Sequence, residues 1–70
     1  MTNIRPELLQ VLAELGEECP EMRMGQLIAN LATLAKGATI EAIWDVEDNE
    51  LLSAGRRQLE FFRSRKSSVA

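Results

Sequence analysis

The chain has no histidine, no tyrosine and a single cysteine, Cys19. These gaps exclude much chemistry. One cysteine forbids an internal disulfide, and a lone thiolate without imidazole partners does not assemble a structural zinc site. A cysteine nucleophile needs a lowered pKa or an adjacent base. Here Glu17, Glu18 and Glu21 surround Cys19 in the chain, so it reads as a bystander thiol. There is no phosphate-binding glycine loop, no Ser/His/Asp set and no cluster of metal ligands, so no enzyme activity, metal or cofactor is expected. No apolar run approaches the ~20 residues that span a bilayer. Met1 to Pro6 lacks the basic-then-apolar pattern of a secretory signal, and a cytoplasmic location is the expectation. Net positive charge is missing too: the formal charge of −3 weighs against a protein whose main partner is nucleic acid.

What is present is leucine. Hydrophobic residues make up 46% of the 70 positions, enough for a core and too many for a disordered chain. Leu, Ala, Glu and Met outnumber β-branched residues, which favours helix. A chain this short buries only ~60% of its unfolded surface. Small scaffolds commonly add a disulfide, a metal or a second subunit. With the first two excluded, self-association as a homodimer is expected.

The periodicity predicts an all-α protein, a small bundle of three to four helices over residues 6–18, 23–36, a short turn at 40–44, and 46–64. Residues 1–66 form one domain, with 67–70 as a frayed tail. Pro6 suits a first helical turn, and Leu8, Leu12 and Leu15 supply the stripe, widened by Leu9 and Val11. Gly16 can end this helix, or it can fray through Glu17 and Glu18. In the second helix Met24, Leu27, Ile28, Leu31, Leu34 and Ala35 form one face, closed by Lys36 and a Gly37 cap. Between 38 and 44, Thr39 can cap a helical turn that carries Ile40, Ile43 and Trp44 inward; the alternative is an extended connector. The last helix is expected to begin near Asp45, with Asp48 completing a weak capping box. It continues through Leu52, Gly55, Leu59 and Phe62.

Charge is segregated. Residues 41–50 hold five acids and no base, and residues 56–66 hold five bases against one acid. Matching to the helix dipole explains both ends. A calcium loop does not fit 45–50, because the positions for the turn glycine and the closing glutamate are Glu50 and Arg56. The functional alternative is a basic face, Arg56, Arg57, Arg63, Arg65 and Lys66, that contacts nucleic acid.

Three polar residues stand together on the second helix, Arg23, Gln26 and Asn30. They either fix neighbouring backbone, with Arg23 pairing an acid from 45–50 and Asn30 bonding a loop, or rim a partner site. Gly25 beside them can admit another backbone. Trp44 is a core anchor if buried and an interface hot spot if exposed. Phe61 and Phe62 point about 100° apart, so one of them is expected outside the core or in a dimer.

The segment Arg23-Met24-Gly25-Gln26-Leu27-Ile28-Ala29-Asn30 resembles an R-x-G-Q-x-x-x-N segment of small uncharacterised bacterial and phage helical proteins. In these an acidic E-D-x-E-L segment follows, matched here by Glu47-Asp48-Asn49-Glu50-Leu51. The resemblance covers roughly residues 5–60. It implies a compact helical protein, groups Arg23, Gln26 and Asn30 with Glu47 and Asp48, and transfers no active site. The expected role is a non-catalytic accessory module that binds another protein. Trp44, Phe61 or Phe62 would anchor the contact, with Arg23, Gln26 and Asn30 at its rim.

Overall fold

A computed structural model describes residues 3–68, with side chains to Arg65. Four helices follow in order: α1 (Arg5–Glu18), α2 (Met24–Lys36), α3 (Ala42–Asp45) and α4 (Asp48–Ser68). No strand occurs among the described residues. Pro6 stands in the first turn of α1, and Pro20 follows its end. α2 runs back alongside, α3 turns the chain, and α4 returns. Consequently α1 and α4 are parallel, with Arg5 beside Asp48 and Glu14 beside Arg63. α2 is antiparallel to α4, with Lys36 beside Glu50.

Two helix starts are built alike. The side chain three residues into the helix turns back and accepts the N–H of the cap residue. Gln26 Oε1 accepts from Arg23 N at 3.0 Å, and Glu50 Oε1 from Glu47 N at 2.9 Å. Each satisfies a backbone donor that has no intrahelical acceptor. This corrects two expectations. Arg23 is the extended cap residue of α2 rather than its first helical residue. The last helix begins at Asp48, not near Asp45, because Val46 is extended (φ −66°, ψ 134°) and leaves Asp45 at the end of α3. The capping pair is Glu47 with Glu50, whose longer side chain reaches back where Asp48 would not. At its other end α4 continues to Ser68. Of the tail expected over 67–70, residues 69 and 70 lie outside those described.

The core is where the three stripes meet. Leu8, Val11, Leu12 and Leu15 of α1 pack with Leu27 and Leu31 of α2 and with Leu52, Ala54 and Leu59 of α4. Leu15 and Leu31 are the most completely buried large side chains. Each such leucine contributes about 1.5–3 kcal/mol of burial. Phe62, Met22 and Ile28 pack around the edge. Met24 and Leu34, expected on the buried face of α2, are exposed. Met24 stands at the first position of the helix, and Leu34 borders the groove between α2 and α4.

Close approach falls on a different glycine from the one expected. Gly25 has open space where a Cβ would stand, whereas a Cβ on Gly55 would meet Val11 Cγ1 at 2.8 Å. Gly55 is therefore the point where α4 sits down on α1. Gly37 ends α2 at φ 105° and ψ 169°, a region reserved essentially for glycine.

Candidate functional site

The connector between α2 and α4 reverses the usual arrangement of a surface helix. Its backbone closes turn by turn: Ala42 N bonds Thr39 O, Trp44 N and Asp45 N bond Glu41 O, and Val46 N bonds Ala42 O. Only Ala42 is buried, at 4% exposure, and it seats α3 on α2. The large apolar side chains face away. Ile40 is 90% exposed, Trp44 88% and Ile43 49%. The expectation that Ile40, Ile43 and Trp44 point inward is overturned. The physical reason is that leucines of α1, α2 and α4 already fill the core, and one helical turn can present only one small face to it. The three exposed side chains fall within five consecutive residues, Ile40 in the turn before α3 and Ile43 and Trp44 within it, and together make an apolar projection. Glu41, Asp45 and Glu47 are exposed beside it. Each exposed apolar side chain alone would be ordinary; here three of them, one a tryptophan, stand within five residues.

The second group of expected residues lies elsewhere. Gln26 and Asn30 line an open groove of about 590 Å³ together with Cys19, Met22 and Phe62. Gln26 is engaged in capping, and Asn30 Nδ2 donates to Met22 Sδ at 3.7 Å rather than to loop backbone. Arg23 is exposed at the helix start. It does not pair with the acidic segment, whose Asp48 and Glu50 are taken by Arg5 (2.6 Å) and Lys36 (3.4 Å). Arg23, Gln26 and Asn30 are thus not brought to Glu47 and Asp48, which stand at the other end of the α2–α4 pair. Nor do they rim Trp44. Both segments of the motif act locally as helix starts.

Of the two phenylalanines, Phe62 packs against the core and Phe61 is half exposed at 50%. Their rings meet edge to face with centroids 5.6 Å apart. The Arg65 guanidinium lies 5.5 Å from the Phe61 ring centre, within range of a cation–π contact.

Two of the bases on α4 are turned to α1. Arg56 pairs with Glu7, and Arg63 reaches Glu14 at 2.7 Å and Glu18 at 3.7 Å. The Arg63 guanidinium and then the Gln10 amide hold the Glu14 carboxyl below its ordinary range. In turn Glu14 raises Arg63. The Glu47 N–H, followed by Lys36, lowers Glu50, and Asp48 raises Arg5. Arg57 shares a shallow groove with Phe61 and Arg65, and the Lys66 side chain lies outside those described.

Cys19 is a partly buried free thiol. Among the described residues no group of three His, Cys, Asp or Glu side chains is placed to hold a metal ion. No helix there is long and apolar enough to cross a membrane. Sequence reasoning missed Ile40 and Ile43 as surface residues. The signal was present in the excess of apolar positions over what three short helices can bury. No family model, curated protein or solved structure matches the chain.

Proposed function

We propose that this protein is a non-catalytic interaction module that docks on another protein through Ile40, Ile43 and Trp44. The observation that carries the reading is the outward orientation of all three on a turn anchored only by Ala42. Tryptophan is, with Tyr and Arg, among the side chains enriched at the energetic centre of interfaces. Phe61 is a secondary contact, separate in sequence and on another helix. The role given to Arg23, Gln26 and Asn30 shrinks accordingly to helix initiation and the groove beside Phe62.

A second copy of the chain is one occupant to be tested, and a light-scattering mass measurement separates monomer from dimer. The nucleic-acid alternative is the weaker reading, since Glu7, Glu14 and Glu18 engage Arg56 and Arg63. The decisive test compares tagged wild type with Trp44→Ser and Phe61→Ser in affinity capture from the native host. A protein retained by wild type and Phe61→Ser but lost with Trp44→Ser supports the reading. Identical captured sets, with all three proteins folded by circular dichroism, would defeat it.

A further inference from the structure

We infer that the occupant of the α3 projection is a cationic amphipathic segment of another protein, not a second copy of this chain; the inference rests on the docking role just proposed. The argument is geometric and electrostatic. Ile40 stands exposed in the turn just before α3. Within α3, at about 100° between successive residues, Ile43 and Trp44 are neighbours, and the buried Ala42 lies about 100° from Ile43 and about 160° from Trp44. The cap residue Glu41 and the last residue Asp45 fall on the Trp44 side, about 60° and about 100° from Trp44 and both about 160° from Ile43. Carboxylates thus border the apolar sector on its Trp44 side. Glu47 adds a third exposed acid just beyond Val46. The bases that approach this end, Arg5 and Lys36, are held by Asp48 and Glu50. No cation is therefore left to neutralise Glu41, Asp45 and Glu47 among the ion pairs of the described residues.

Two consequences follow for what can cover the projection. A symmetric pairing would set this rim against itself, and like charges brought together at an interface disfavour the complex. The apolar area of three side chains is also only on the order of a few hundred Å², short of the ~800 Å² per partner of a stable standard interface. A helix with an apolar face flanked by Lys or Arg removes the charge conflict, and its ion pairs add to the small apolar contact. Its apolar face takes Trp44 and Ile40, and its cations meet Glu41 and Asp45.

The test uses the sole tryptophan as reporter and an unbiased probe. Wild-type protein is panned against displayed helical peptides whose apolar face is constant and whose flanking positions are randomised among Lys, Glu and Gln. The expected pool is enriched in Lys next to the apolar face. The selected peptide shifts Trp44 fluorescence to the blue, and binding weakens as salt rises. Trp44→Ser lowers affinity roughly tenfold to a hundredfold. Glu41→Lys with Asp45→Lys costs about tenfold for the Lys-rich peptide and restores binding to its Glu-substituted counterpart. Selection of Glu-rich or charge-indifferent peptides that still need Trp44 overturns the cationic partner and leaves the docking role standing. Peptides retained equally by Trp44→Ser overturn both. A concentration-dependent dimer that buries Trp44, or a blue shift on zwitterionic lipid vesicles without peptide, replaces the proposed occupant with a second copy or a membrane surface.

Discussion

Alanine in place of Gly55 should destabilise the protein, against the direction that helix propensity alone gives. Inside a helix, glycine-to-alanine gains about 1 kcal/mol. At Gly55 the added methyl meets Val11 Cγ1 at 2.8 Å, whereas carbon atoms rest at about 3.5–4.0 Å. The neighbour does not yield easily. Valine in a helix is held to one χ1 rotamer, and Leu15 and Leu31 already stand at ordinary contact, 3.7 and 3.8 Å from the new atom. α4 must therefore move off α1, and overpacking of this kind costs about 1–3 kcal/mol. The net expectation is a loss of up to about 2 kcal/mol, with each kcal/mol lowering Tm by roughly 4–8 °C at this size. Urea unfolding followed by far-ultraviolet circular dichroism reads it. Gly16→Ala, in a helix with open space at the Cβ position, is the control and should gain about 0.5–1 kcal/mol. Val11→Ala alone should lose about 1.5–2 kcal/mol. In that background the methyl of Gly55→Ala fills the gap, so the second substitution becomes neutral or favourable and the pair is strongly non-additive. A Gly55→Ala protein as stabilised as Gly16→Ala would refute the close approach.

Leu31→Ala should cost about 2–5 kcal/mol by removing a fully buried side chain at the junction of α2 and α4; the same urea series measures it, and a loss under 1 kcal/mol would contradict the core described. Gly37→Ala should cost about 1–3 kcal/mol, because φ 105° with ψ 169° is strained for any Cβ, and its Tm should fall accordingly. Glu14 and Glu50 have depressed folded pKa values. Their contribution is present in full above the ordinary glutamate value of 4.5 and is lost as pH falls through the depressed values. Arg5 and Arg63 are raised above the ordinary arginine value, so theirs would be lost only in strong alkali. Unfolding curves from neutral pH downward should therefore stay level until about pH 4.5 and then decline, and Arg63→Gln should shrink the decline.

The long helices were legible because their leucines repeat with the helical period, and Leu8, Leu12, Leu15, Leu27, Leu31, Leu52 and Leu59 are all buried. The helix starts were half legible. Gln26 and Glu50 are three residues beyond their caps, but their partners, Arg23 and Glu47, are not usual capping residues, so the pattern points instead to Asp45 and Asp48. The direction of Ile40, Ile43 and Trp44 was hidden because a single turn has too few residues to show a period; its orientation is set by what the rest of the core leaves unfilled. The charge segregation was visible, yet the helix dipole was only part of its cause. Glutamates of α1 face arginines of α4 forty-nine residues later, and no local pattern carries a separation of that length.

The parallel run of α1 and α4 also governs how the chain reaches its fold. Each of α1 and α2 packs on α4 more than on the other, so the first helical hairpin has little to hold it before the final segment arrives. Folding should consequently be a single cooperative event whose rate is limited by closing the longest loop, slower than in bundles built from adjacent helices. Amides at the centre of α1 and of α4 should then exchange with solvent through the same global opening, rather than α1 persisting as an independently protected unit.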